Sequence, residues 1–195
     1  MRSGKAVMNH NHMRSAIGAA IIAAMMSVLS QFSIPIGAIP VTLQTFVSAL
    51  AGSVLGRKWG AIGVLLWVIL GAVGVPVFAN GHSGLGSILG PSGGYFWGLV
   101  LMAWISGFIA ERPRPFWKQY SFALAGVIAD YVLGTAAFIL YFRYGLGKEM
   151  TLATAMTVAV LPFIPFDLIK VGIAVSIGQK VRRVLQSAGY QSSGK

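Results

Sequence analysis

The stretch Leu161-Pro-Phe-Ile-Pro-Phe-Asp-Leu-Ile-Lys170 sets an acid, Asp167, and a base, Lys170, three residues apart in an otherwise apolar run. Read as the opening of a membrane-spanning helix, it places both groups at the outer mouth of the span. An ionisable side chain in such a segment costs about 2.5–3.5 kcal/mol to insert even on a lenient scale, and so marks a functional site by default. At i and i+3 the two share one helical face and offset each other's charge. They also offer an acceptor and a donor to a polar solute. Asp167 lies near the helix N-terminus, where the positive end of the macrodipole favours an anion. The competing reading is a structural ion pair that anchors the helix at the interface, with the lysine snorkelling to water. The functional reading is preferred because the pair would face inward under a glycine-rich loop.

Composition supports the membrane setting. Of 195 residues, 56% are hydrophobic and 10% charged, against about 25% charged in an ordinary soluble domain. Mean hydropathy is +0.75. The four acidic residues are Glu111, Asp130, Glu149 and Asp167. The fold expected is an all-α integral membrane protein with one membrane domain, 14–185, between tails at 1–13 and 186–195. Hydrophobic runs give six crossings, roughly 15–33, 41–56, 59–79, 94–110, 120–142 and 166–183, judged against about 20 residues per crossing. The apolar stretch 151–162 is cut off by Pro162 and Pro165. It reads either as a short helix on the outer face or as the first half of a kinked crossing.

Twelve basic residues fall at the N-terminal tail, at Arg57 and Lys58, at Arg112, Arg114 and Lys118, and at the C-terminal end. Arg143, Lys148 and Lys170 fall on the other side. Under the positive-inside rule both termini are cytoplasmic and the Asp167/Lys170 pair faces out. The net charge of +11 therefore reads as topology control, not as a nucleic-acid surface, because the cations are spread through short connections. The first span follows Arg2, Lys5 and Arg14 as a secretory signal would. No small-residue cleavage site follows Leu29-Ser-Gln-Phe-Ser33, so a retained helix is expected. With no cysteine, disulfides and thiolate metal sites are excluded.

The outer segment 74–95 is rich in glycine and lacks Lys, Arg, Asp and Glu, yet keeps apolar residues. Irregular backbone at membrane depth is tolerated where protein buries it or where it lines a cavity, so this segment is expected to be a folded cap over a pocket. Its His82 reads as a solvated loop residue, since a metal site needs several convergent ligands; no metal or other cofactor is expected. No nucleophile–base constellation appears and no catalytic residue is assigned. Glu111 reads as a surface charge. Asp130, mid-span, reads as an interior hydrogen-bonding group or a ligand contact. Ala16, Ala20 and Ala24 recur every four positions on the first span, as do Ala19 and Ala23; such small-residue stripes allow close helix approach, inside the bundle or against a partner. No GxxxxGK[ST] phosphate loop is present, so ATP hydrolysis would belong to a partner.

Four blocks together, Ile39-Pro-Val-Thr-Leu-Gln-Thr-Phe46, Gly71-Ala-Val-Gly-Val-Pro-Val-Phe-Ala79, Gly90-Pro-Ser-Gly-Gly-Tyr95 and Pro162-Phe-Ile-Pro-Phe-Asp-Leu-Ile-Lys170, resemble the BioY family, the biotin-binding S components of energy-coupling factor (ECF) transporters. The resemblance runs from about residue 15 to 185. It implies a six-helix subunit that captures biotin from outside, with release driven by a transmembrane T component and two cytoplasmic ATPases. The resemblance leaves open whether the chain acts alone or self-associates. It maps the family's polar ligand contacts onto Asp167 and Lys170, with Asn80 as a third. Gln44 and Tyr95, within the quoted blocks, complete the candidate binding set. Tyr95, Phe78 and Trp97 are the candidate apolar walls for the thiophane ring and alkyl chain. Ala16, Ala20 and Ala24 match the motif that docks on the T component. The sequence departs from the family at Phe166, where glycine is frequent, and the expected effect is an altered local backbone or a narrower pocket mouth. The alternatives are an S component for another vitamin and an intramembrane enzyme.

Overall fold

A computed structural model describes residues 2–34, 39–110, 112 and 114–188, and of residues 2–11 the backbone alone. Glu111, the stretch 35–38 and most of the tail 186–195 lie outside the described residues, as do the side chains of Arg2, Lys5 and His10. The helices are α1 (Arg2–Leu29), α2 (Gln44–Ala72), α3 (Leu85–Ile88), α4 (Gly93–Ala110), α5 (Phe116–Leu140), α6 (Leu152–Ala159) and α7 (Ile164–Ser187). The expectation of an all-helical chain needs one addition. A two-stranded antiparallel ribbon pairs β1 (Ser33–Ile34) with β2 (Val41–Thr42), Ser33 opposite Thr42.

Four helices, α1, α2, α4 and α5, contain windows long and apolar enough to cross a membrane, and α6 with α7 adds a fifth if that bent pair is one span. The pair bends by 53° at a short break that contains Pro162; Pro165 then sits in the first turn of α7, where its missing N–H costs nothing. Large apolar side chains cover the outer surface of the span helices, among them Ile128, Val132, Ile169 and Val184, as lipid contact requires.

The helix α2 is not one rod. Gly56 has φ 81° and ψ 178°, a backbone state open to glycine and costly for other residues. A straight helix would separate residues 51 and 60 by about 13.5 Å at 1.5 Å per residue. Yet a β-carbon on Gly60 would lie 2.8 Å from the carbonyl carbon of Ala51. The chain therefore reverses at Gly56, and the two arms of α2 pack against each other. These arms correspond to the expected spans 41–56 and 59–79, each shorter than the about 20 residues of a perpendicular crossing. The second arm stops at Ala72, seven residues before the expected end, because Gly74 and Pro76 break the helix. Val77 and Phe78 stay apolar and buried, but as loop.

Packing runs from α1 to α2, from α2 to α4 and α7, and from α4 to α5. The centre is aromatic. Phe78 stacks on Phe96 at 4.3 Å between centroids, both meet Trp67 edge-on, and Trp67 Nε1 donates to the Val77 carbonyl at 3.0 Å. Phe78, from the glycine-rich loop, is thereby pinned into the core beneath the site. A second apolar cluster, including Ile39, Val41, Phe138 and Phe163, ties the ribbon to α5 and to the α6–α7 elbow.

Candidate functional site

The cap expected over 74–95 is built from a 3₁₀ turn, Ala79–Gly81, and α3. Beneath it lies a cavity of about 510 Å³ walled by Phe78, Phe96, Tyr95 and Pro91, with Asn80, His82, Ser87 and Ser92 adding polar edges. A cleft of about 60 Å³ adjoins it and is lined by Thr45, Asp130, Tyr131, Asp167 and Lys170. Ile39, Pro40, Thr42, Gln44 and Tyr95 line both. The site thus has a roomy, mostly apolar upper part and a narrow, charged lower part.

Asp167 and Lys170 meet at 2.5 Å in the cleft, with side chains 5% and 13% exposed. Asp167 Oδ1 also accepts from Thr45 Oγ1 at 2.8 Å, and Oδ2 accepts from Tyr131 Oη at 2.6 Å. Lys170 Nζ donates further to the Thr42 carbonyl at 2.8 Å and to Thr45 Oγ1 at 2.9 Å. Three acceptors use all three N–H bonds of the ammonium, whereas an ionised carboxylate has about four acceptor positions. The lysine is committed, and Asp167 keeps one acceptor position. The ribbon supplies the Thr42 carbonyl, the first arm of α2 supplies Thr45, and α5 supplies Tyr131.

Of the residues expected from sequence, Asp167, Lys170, Gln44 and Tyr95 converge on the cleft, while Asn80 lines the upper cavity away from the ion pair. Asn80 has φ 58° and accepts from Ser33 Oγ at 2.6 Å. Gln44 Nε2 donates to Ser30 Oγ at 3.1 Å, and Tyr95 Oη to the Ala159 carbonyl at 2.8 Å. Trp97 is corrected: it is 49% exposed on the outer surface and lines neither space. Phe96, one position earlier, forms the wall instead, because consecutive helical residues point about 100° apart. Phe166 lies in an outer apolar groove with Phe32, Leu43 and Ile169 and does not reach the pocket. Thr42, Thr45 and Tyr131 were missed. Hydroxyl-bearing residues are common in spans, and a backbone carbonyl carries no sequence signal; Thr42 and Thr45 did lie within a quoted block. On α1, Ala19 and Ala23 are buried whereas Ala16, Ala20 and Ala24 are exposed on the outer surface.

The model of the BioY family matches residues 4–187. The chain belongs to the BioY family. Among BioY relatives, the biotin transporter of Thermotoga maritima is 38% identical over 172 residues, 88% of this chain and 98% of its own length. The biotin transporter BioY of Rhodobacter capsulatus is 37% identical over 163 residues, 80% of this chain and 86% of its own. Among solved structures, the S component for biotin of an ECF-type ABC transporter superposes with a TM-score of 0.79 at 29% identity, covering 90% of this chain and 94% of its own.

Proposed function

We propose that this chain is the substrate-capture subunit of an ECF-type biotin transporter. Its role in this reading is binding and uptake, with no chemical change to the vitamin. The observation that carries the reading is the Asp167–Lys170 pair, enclosed beside a capped apolar cavity. A site of that shape suits a guest with a polar ring and an apolar tail. Biotin has two ureido N–H donors, one ureido carbonyl, an apolar thiophane ring and an alkyl chain ending in a carboxylate. The upper cavity accommodates the apolar part, with Phe78 and Tyr95 as walls, and Asn80 and Gln44 supply polar contacts. The names of the BioY relatives support biotin over another vitamin.

In the same reading, residues 14–185 form one membrane domain of six crossings, with the arms of α2 counted separately and α6–α7 as one. Both termini are cytoplasmic by the distribution of basic residues, in the inner membrane of a bacterium. The exposed stripe of Ala16, Ala20 and Ala24 is the surface offered to a T component, which couples to two ATPases. Purified protein titrated with biotin tests the site: Asp167→Asn and Lys170→Ala should each weaken binding at least tenfold, about 1.4 kcal/mol. Unchanged affinity in both variants refutes the assignment. A competition panel of other vitamins tests the ligand. Uptake of labelled biotin by cells that express only this chain tests whether partners are required.

A further inference from the structure

At the end of the bundle away from the cleft, the reversal of α2 at Gly56 meets the ends of α4 and α7. Arg182 stands on α7 about 22 Å along the helix from Asp167, at 1.5 Å per residue, and donates to the Ser53 and Val54 carbonyls at 3.4 Å. The helix α4 closes on the reversal because Gly107 has no side chain: a β-carbon there would run into the Arg57 backbone nitrogen. A cavity of about 430 Å³ opens at this junction, lined by Arg57, Arg112, Arg114, Phe108, Ile109 and Phe122. Its cations come from two connections, the α2 reversal and the α4–α5 link. The link is tied down, since Gln179 Nε2 of α7 donates to the Arg114 carbonyl at 3.2 Å. The Arg57 guanidinium lies over the Phe108 ring, 5.3 Å from its centroid. Phe108 and Phe122 are 50% and 38% exposed on the outer surface of two spans, so the cavity has an apolar side toward the bilayer and a cationic edge.

Orienting a chain in the membrane requires a number of cations on one side; it does not require guanidinium groups from separate connections to converge on one cavity. Residues 57–58 and 111–118 carry the cations Arg57, Lys58, Arg112, Arg114 and Lys118 against a single acid, Glu111. Among the described residues, no carboxylate lines the cavity. Planar guanidinium forks match the oxygens of a phosphate. A soluble anion would use that cationic edge alone, whereas a ligand that also covers Phe108 and Phe122 needs hydrocarbon beside its phosphate. We propose that this cavity binds an anionic phospholipid, with the phosphate held by Arg112 and Arg114 and the acyl chains lying along Phe108 and Phe122. Basic pockets between spans hold lipid head groups by the same chemistry. The site is separate from the Asp167–Lys170 cleft and does not rest on the biotin reading.

The test titrates the full-length protein, in micelles of an uncharged detergent, with phosphatidylglycerol or phosphatidylcholine and counts bound lipids by native mass spectrometry. Phosphatidylglycerol should bind about tenfold more tightly than phosphatidylcholine. Arg112→Gln/Arg114→Gln should remove that preference, at about fivefold per cation lost, while phosphatidylcholine binding, helical circular dichroism and biotin binding stay unchanged. Lys58→Gln/Lys118→Gln removes the same charge from outside the cavity lining and should keep most of the preference, because salt screens exposed charges at a distance. Arg112→Lys/Arg114→Lys keeps the charge without the fork and should keep part of it; this variant carries the measurement if the glutamine variant fails to fold. Glycerol phosphate, which offers the phosphate without the chains, should not displace the lipid at equal concentration. Equal losses in the two glutamine variants, or displacement by glycerol phosphate, overturn the lipid site. The absence of any preference for phosphatidylglycerol overturns it too, and leaves an acidic protein surface as the occupant to seek.

Discussion

Replacing Lys170 with methionine isolates what the ion pair contributes to the fold. The side chains are of similar length, so the change removes charge and three hydrogen bonds with little loss of volume. Those bonds run to Asp167 at 2.5 Å, to the Thr42 carbonyl at 2.8 Å and to Thr45 Oγ1 at 2.9 Å. Asp167, with its side chain 5% exposed, is left with the Thr45 and Tyr131 hydroxyls as donors and no cation lining the cleft. Removing one partner of a buried pair costs about 3–5 kcal/mol. Two donors remain and the lysine is slightly exposed, so the low end, about 3 kcal/mol, is expected for Lys170→Met. The double variant Asp167→Asn/Lys170→Met leaves no uncompensated charge and should fall within about 1 kcal/mol of the parent. The assay is ligand-free denaturation by SDS in mixed micelles, followed through the tryptophan fluorescence. Stability should return in the double variant while biotin binding stays lost. A Lys170→Met protein as stable as the parent, or a double variant no more stable than the single, refutes the claim that the cleft holds an uncompensated charge when one partner goes.

Two further substitutions separate the cleft from the cap. Tyr131→Phe removes the 2.6 Å donor to Asp167 Oδ2 and should lower biotin affinity by about 1 kcal/mol, roughly fivefold, as read by calorimetric titration with the helical circular dichroism unchanged. Gln31 clasps the cap turn, donating to the Phe78 carbonyl at 3.1 Å and accepting from the Gly81 N–H at 2.9 Å; Gln31→Ala should speed biotin release several-fold in stopped-flow chase, with ligand-free stability held to within about 0.5 kcal/mol because Gln31 is a surface residue.

What the sequence made legible follows a physical division. Asp167 and Lys170 stood out because charge is expensive in apolar surroundings, and the structure sets them in a cleft for that reason. The glycine-rich segment 74–95 announced a packed cap because it was too apolar to be a tether. The two alanine stripes on α1 were indistinguishable by spacing; only packing separates buried Ala19 and Ala23 from exposed Ala16, Ala20 and Ala24. The end of the second arm of α2 was misplaced because Val77 and Phe78 are apolar for a reason other than helix: they plug the core from a loop. The partners of the ion pair were hidden because one is a backbone carbonyl and the others are a threonine and a tyrosine, residues that serve equally well as bundle filling.

The two aspartates of the cleft stand in unlike surroundings. Were the cleft only a fastener, the single pair would suffice: Asp167 is held by Lys170, Thr45 and Tyr131, and Lys170 has no hydrogen left to give. Asp130 adds nothing to that fastener. Its Oδ1 is buried without a partner among the described residues and lies against Gly98, whose missing side chain lets α4 and α5 close on it. A leucine there would pack without the desolvation cost of a carboxyl. A buried acceptor left unsatisfied lowers the stability of the protein by roughly 1–3 kcal/mol.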